Sequence, residues 1–176
     1  RRQRQMCIRD RTIAEEIGPI TGQYFAFRAK PIEGTDEDPV YQDVRDRVFA
    51  YYIPVPDGNY SITLKFCEGQ VERKRGRVFD VSIQGKKVID DLDIFSRAGR
   101  FKALDFSFHQ VAVTGGRLAI DFADRIHYPC LAGIVIKGKG FSKKINCGGP
   151  AVLDYEADWP ETERHLPVAD FYRDWA

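Results

Sequence analysis

The sequence predicts an all-β chain folded as an antiparallel β-sandwich, and three observations carry the prediction. Between Tyr24 and Lys137 apolar and polar residues alternate with a period of two, which is how strands with one buried face read. Gly, Pro, Asp and Asn break that alternation at short intervals, as turns require. Helical periodicity is nearly absent from the same stretch. Seven or so short strands cannot bury their apolar faces singly, and two sheets packed face to face are the arrangement that suits them.

Taken in order, Arg47-Val-Phe-Ala-Tyr-Tyr-Ile53 is rich in β-branched and aromatic residues and reads as a strand. Pro54-Val-Pro-Asp-Gly58 follows as a turn, with fixed φ at the prolines and freedom at the glycine. Tyr60 to Phe66 places Tyr60, Ile62, Leu64 and Phe66 on one face and Ser61, Thr63 and Lys65 on the other. Val78 to Ile83 continues the pattern, and Gln84-Gly85-Lys86 turns the chain into Val88-Ile89. Ala103 to Val113 alternates through Leu104, Phe106 and Phe108 and shifts phase near Gln110. Thr114-Gly115-Gly116 then leads into Leu118 to Phe122 as a hairpin, and the nearly continuous apolar run Leu131 to Ile136 suits a central strand.

With 176 residues, 43% hydrophobic and 12% aromatic, the chain is globular and has room for one ordinary domain and part of another. Its 27 Lys and Arg against 26 Asp and Glu leave no overall basic field, so neither nucleic acid nor an anionic membrane surface is an expected partner. No apolar run approaches the roughly 18 residues of a membrane span. Cys7, Cys67, Cys130 and Cys147 lie far apart, without a C-x-x-C pair or neighbouring histidines, so no zinc or redox motif is readable and buried thiols are expected. A Cys67–Cys130 disulfide stays open as the alternative for an exported protein. No cofactor is expected. The arginine-rich opening, Arg1 to Arg11, has no strand or helix period, and residues 1–17 are expected to be an artefactual or disordered extension. A nucleic-acid-binding arm is disfavoured there because no aromatic platform accompanies the arginines. The chain stops at Trp175-Ala176 just as an amphipathic segment has begun, and truncation is the expectation.

Several segments in register carry a family resemblance: Asp38-Pro-Val-Tyr-Gln-Asp-Val-Arg45, the strand closing on Ile53 to Gly58, Tyr60 to Glu68, Gly76 to Val81, Asp91-Leu-Asp-Ile-Phe95 and Leu131 to Ile136. In this order they resemble the malectin and malectin-like domains and related bacterial carbohydrate-binding modules. The resemblance implies a galactose-binding-like jelly-roll over residues 18–140. It further implies a non-catalytic module that binds an oligosaccharide or polysaccharide and targets a covalently linked catalytic domain, in an extracellular or periplasmic protein such as a larger glycoside hydrolase. The family's opening strand, Ile-Asn-x-Gly-Gly, stands late, at Ile145-Asn-Cys-Gly-Gly149. Two readings follow. Either residues 141–176 begin a second malectin-like or neighbouring domain after a linker Lys137-Gly-Lys-Gly140, which is the expectation adopted, or the strand returns to complete the same sandwich.

Reading a sugar takes a few planar polar side chains and an aromatic face, displayed on loops at one end of a rigid sandwich. The resemblance places the family's contact positions on Asp46, Gln70, Val71 and His127, none of which keeps the family residue. With their polar neighbours they give the candidate carbohydrate-binding set Asp46, Glu68, Gln70, His127 and Tyr128, against ordinary solvated loop residues as the alternative. Arg45 is expected as a structural partner for Glu68, and Tyr41 as core. The run Glu72 to Arg77 could dock a uronic acid or sulfated sugar through its arginines, but a solvated loop is the expectation. Asp80, Asp90, Asp91, Asp93 and Asp121 invite a glycosidase reading, which needs two carboxyls about 5 to 9 Å apart across a cleft. Asp80 and Asp121 are expected near turns or at the surface instead. Asp90 to Asp93 is conceivable as a calcium loop without EF-hand spacing, so no metal is assigned. His109, His127 and His165 lack i,i+4 partners, and no histidine metal site is expected. The rivals to a binding module are a part of a glycoside hydrolase that lends loops to its active site, and a structural or protein-interaction sandwich.

Overall fold

The computed structural model describes residues 23–158. In chain order the elements are β1 (Gln23–Ala26), the single helical turn α1 (Asp38–Tyr41), β2 (Asp43–Asp46), β3 (Ala50–Pro54), β4 (Gly58–Phe66), β5 (Val78–Ile83) and β6 (Lys86–Leu92). There follow α2 (Ile94–Ala98), β7 (Leu104–Val113), β8 (Arg117–Ile126), β9 (Cys130–Leu131), β10 (Gly133–Gly138), β11 (Phe141–Asn146) and β12 (Glu156–Ala157). The antiparallel sheet β3-β8-β5-β6 faces the sheet β12-β11-β10-β4-β7, in which only the short β12 runs parallel to its neighbour. A small sheet, β1-β2-β9, flanks them.

Alternation explains the core. From β4, Ile62, Leu64 and Phe66 point into the sandwich with Ile134 and Ile136 of β10, opposite Phe79, Val81 and Ile83 of β5 and Leu118, Ile120 and Phe122 of β8. Each such side chain contributes about 1.5 to 3 kcal/mol on burial. The other face of the five-stranded sheet is covered in part by the segment leading through α1 to β2. There Ile32, Val40, Tyr41 and Val44 pack with Cys67, Ala132, Val135 and Tyr155. Strand β10 therefore has apolar cover on both faces, which is why Leu131 to Ile136 shows no alternation.

The predicted turns hold for physical reasons. Gln84 and Gly85 both take left-handed φ, 50° and 76°, the requirement of a tight hairpin that follows the sheet twist. The phase shift near Gln110 is a β-bulge. Tyr60 pairs with Val111 while Ile62 pairs with Phe108, so β7 holds one extra residue, and Gln110 takes φ 56°.

The expected boundary at Gly140 needs correction within the described residues. Lys139-Gly140 is a tight turn, with Gly140 at φ 78°, and β11 pairs back on β10 from Gly138↔Phe141 to Gly133↔Asn146. Ile145 and Cys147 enter the main core. A Gly-Lys-Gly tract serves as linker or hairpin alike, and the apolar alternation after it decides for the hairpin. Residues 141–158 thus complete this sandwich, the second of the two readings. Residues 1–17 and the tail from Trp159, with His165 and Trp175, lie outside the described residues.

Candidate functional site

Strand registers gather four connections at one end of the sandwich. Ile126 at the end of β8 pairs with Val78 at the start of β5, Phe66 at the end of β4 with Leu104 at the start of β7, and Leu92 at the end of β6 with Phe79. The loops 47–49, 67–77, 93–103 and 127–129 all open there. At the centre sits Arg77, which is 1% exposed. Its Nε donates to Glu68 Oε2 at 2.8 Å, its Nη1 to Asp46 Oδ1 at 2.8 Å and to the Tyr128 carbonyl, and its Nη2 to Gln70 Oε1 at 2.5 Å. Four of the five candidate residues, Asp46, Glu68, Gln70 and Tyr128, therefore converge on one guanidinium.

Their roles differ from the expectation. Asp46 and Glu68 are 4% and 1% exposed, so their carboxylates face inward, occupied by Arg77, and do not offer themselves to a ligand. Glu68 Oε1 also accepts from the backbone N–H groups of Gln70 and Val71, both at 3.0 Å, and so shapes the turn that follows. Burial opposes the Arg77 charge, and the fields of Cys130, Glu68 and Asp46 override it, holding this guanidinium above its ordinary pKa. A buried charge needs this kind of complete pairing.

What faces solvent is a rim around that centre. Tyr128 and Phe49 are 38% and 39% exposed and meet edge to face, with ring centroids 6.4 Å apart. The Arg47 guanidinium lies 4.6 Å over the Tyr128 ring, and the His127 ring stands edge-on to it at 5.6 Å. Arg47 and His127 both take left-handed φ, 60° and 59°, a conformation that costs about 1 to 2 kcal/mol for a non-glycine residue. Arg47 Nε is buried without a hydrogen-bond partner among the described residues, with Asp46 Oδ2 at 3.9 Å. Gln70, its carbonyl oxygen held by Arg77, keeps its amide nitrogen as a donor. The rim thus combines an apolar ring pair with three edge donors.

Two rim residues, Arg47 and Phe49, fall in the segment the sequence predicts as strand, and the inward Val48 and Ala50 on either side of an outward Phe49 are the signal that marks it. Arg77 was hidden in the charged run Glu72 to Arg77. That run is exposed at Glu72 to Arg75 but its last arginine is fully interior, because it follows Gly76 into β5.

The remaining candidates are structural. Arg45 pairs with Asp158, not Glu68: Nε and Nη2 donate to the two carboxylate oxygens at 3.1 and 2.9 Å. Asp158 Oδ2 also accepts from the Tyr51 hydroxyl at 2.7 Å and from Gly148 N–H at 2.9 Å. Tyr41 is buried as expected and donates to Asp105 at 2.6 Å. Asp80 is 4% exposed rather than superficial, because Lys87 and Arg125 reach over it at 2.8 and 2.7 Å. Its burial raises its pKa, but these two hydrogen-bonded cations and the Asp91 N–H hold it well below the usual carboxylate range. Asp80, Asp90 and Asp91 bring oxygens within 4.8 Å of one another, but Lys87 and Arg125 already occupy the group as ion-pair partners. Asp93 caps α2 by accepting from Ser96 N–H at 2.8 Å, and Asp121 accepts from the Tyr52 hydroxyl at 3.1 Å. Cys67, Cys130 and Cys147 are buried free thiols, so the Cys67–Cys130 bridge is absent.

The family model described as "Malectin domain" matches residues 11–137. The chain is 36% identical over 100 residues to malectin from Mus musculus, covering 54% of this chain and 34% of that protein. To malectin from Danio rerio it is 29% identical over 133 residues, covering 65% and 47%. It therefore spans between a third and a half of the curated relatives it matches. Among solved structures, Bacteroides uniformis beta-glucuronidase is similar at a TM-score of 0.62 and 26% identity, over 68% of this chain and 14% of that one. The ANXUR1 extracellular domain from Arabidopsis thaliana shares the fold at a TM-score of 0.61 and 16% identity, over 70% of this chain and 40% of that one.

Proposed function

The chain belongs to the malectin domain family, and from that membership we propose that it is a non-catalytic module that binds a glycan on the rim formed by Phe49 and Tyr128. The observation that carries the reading is the pair of half-exposed rings at the loop end of a rigid sandwich, backed by a fully paired buried guanidinium. The rings take the C–H face of a sugar, while Gln70, His127 and Arg47 donate to its hydroxyls. Arg77 is a positioning residue. It holds the Tyr128 carbonyl and the Gln70 side chain, so both rim contacts are fixed before a ligand arrives.

Two features favour binding over catalysis. Asp46 and Glu68, the two buried carboxylates beside Gln70 and Tyr128, are locked on Arg77 and are not free to act as an acid and base pair. The similar fold also forms 14% of the chain of a beta-glucuronidase, which supports a module that holds polysaccharide near a covalently linked catalytic domain and raises its effective concentration.

The test is a glycan array probed with the whole chain and with single variants. Tyr128→Ala and Phe49→Ala each lose about tenfold or more in affinity, matching about 1.5 to 3 kcal/mol for a stacked ring. Gln70→Ala and His127→Ala each lose a few-fold. Binding that survives Tyr128→Ala unchanged moves the site elsewhere, and a chain that captures no glycan is a protein-interaction sandwich instead.

A further inference from the structure

We infer that the rim is selective for anionic saccharides, those bearing carboxylate or sulfate, and that the tip of the loop between β4 and β5 supplies the selectivity. The inference rests on reading the rim as the sugar site. It starts from a contrast inside that loop, between a backbone held at many points and three cations that form no ion pair among the described residues.

The loop is anchored along its length. Glu68 and Arg77 bond directly across its base at 2.8 Å, and Glu68 takes the N–H groups of Gln70 and Val71. Gly76 N–H closes on the Arg73 carbonyl at 3.2 Å, and Arg75 N–H donates to Asp93 at 2.5 Å. Arg100 Nε donates to the Gly69 carbonyl at 2.9 Å. Val71 Cγ1 occupies the space a side chain at Gly76 would need, 2.2 Å from the position of its Cβ. A loop closed this tightly fixes where its outermost residues leave the backbone.

Those side chains are Arg73, Lys74 and Arg75, all exposed. The nearby carboxylates form no ion pair with these three side chains among the described residues, and only Asp93, held by backbone N–H groups, keeps a negative charge without a cation beside them. Glu68 is on Arg77, Glu72 is on Arg100, and Asp93 serves Arg75 N–H and Ser96 N–H through its two oxygens. Across the same end, Arg47 lies over Tyr128, its Nε without a hydrogen bond but with Asp46 Oδ2 3.9 Å away, so it adds no unpaired charge of its own. The chain as a whole is nearly neutral, +1, so this concentration of unmatched positive charge is local to the loop end. A pre-ordered loop spares the backbone part of the ordering cost on binding, and arginine presents a planar fork that suits carboxylate and sulfate oxygens. Neutral sugars would use the rings and leave the loop tip idle.

The experiment compares three probes of equal length: a neutral oligosaccharide, a uronic-acid oligosaccharide and a sulfated one. Each is titrated against the whole chain and against the variant R73Q/K74Q/R75Q. At low salt the whole chain binds at least one anionic probe about tenfold more tightly than the neutral one, and added salt narrows the gap as charges are screened. The triple variant loses that advantage and keeps its affinity for the neutral probe. Which anionic probe gains more tells carboxylate from sulfate. Equal affinity for neutral and anionic probes, an advantage that survives in the variant, or a variant that loses the neutral probe as well would each overturn the inference while leaving the rim as a sugar site. No binding of any probe would overturn both.

Discussion

Arg77→Met is the perturbation that asks most of the fold. It removes the charge between two carboxylates whose side chains are 5% and 1% exposed and leaves both interior without a cation. It also strips hydrogen bonds from the Gln70 side chain and the Tyr128 carbonyl. Breaking a buried pair by removing one partner costs about 3 to 5 kcal/mol, because the remaining charge loses both water and partner. Domains of this size are stable by about 5 to 15 kcal/mol, so the loss is a large fraction of the whole. With a urea dependence of roughly 2 kcal/mol per molar, the unfolding midpoint followed by far-ultraviolet circular dichroism falls by about 1.5 to 2.5 M. Arg77→Lys keeps the charge but not the fork, and loses about half as much. Adding Glu68→Gln to Arg77→Met recovers part of the loss, since one orphaned charge is then gone. An Arg77→Met chain within about 1 kcal/mol of the original would refute the view that this guanidinium organises the loop end.

Three further outcomes follow from the same structure. Gly148→Ala lowers stability by about 3 kcal/mol, read as a drop in melting temperature, because Gly148 sits at φ 82° and the new Cβ would lie 2.7 Å from the Val44 carbonyl group. Asp80 is held below its ordinary value of 3.8, so its contribution is complete above that value and is lost as the pH falls below it toward the depressed folded value. Urea midpoints measured down through that range fall for the original chain and fall less for Asp80→Asn, by about 1 kcal/mol given partners half exposed to water. Burial pushes the Cys67 thiol up to about 12 and the Cys130 and Cys147 thiols well above their ordinary value. A thiol reagent at neutral pH therefore modifies these three only after unfolding, and a rapid reaction of any of them in the folded chain would contradict their placement.

How much of this was legible in the sequence depends on what each strand faces. Tyr60 to Phe66 could be read at once because one face is core and the other polar, and Leu131 to Ile136 because both faces are covered. Strand β2 could not. Its residues Asp43-Val-Arg-Asp46 look like a solvated loop, yet all four are buried. Their charges are matched by partners far along the chain, Arg45 by Asp158 and Asp46 by Arg77, and no local pattern announces a pairing across 113 residues. The same holds at the site. The family resemblance named Asp46 and Gln70, which meet on one guanidinium, but whether a carboxylate there faces in or out is decided by Arg77, which its charged neighbours disguise. Phe49 was within reach of alternation alone, since its neighbours on both sides point into the core.

The return of β11 to the edge of β10 has a practical reach beyond the fold diagram. A ribosome delivers this hairpin arm, and the Asp158 that locks it, after every other strand of the five-stranded sheet except its own small appendage β12. Until then β10 carries an open row of amide and carbonyl groups beside apolar side chains, an invitation to pair with whatever strand passes. Shortening the gene at the codon for Gly140 would make that transient permanent. Such a product would precipitate or cross-pair with its copies.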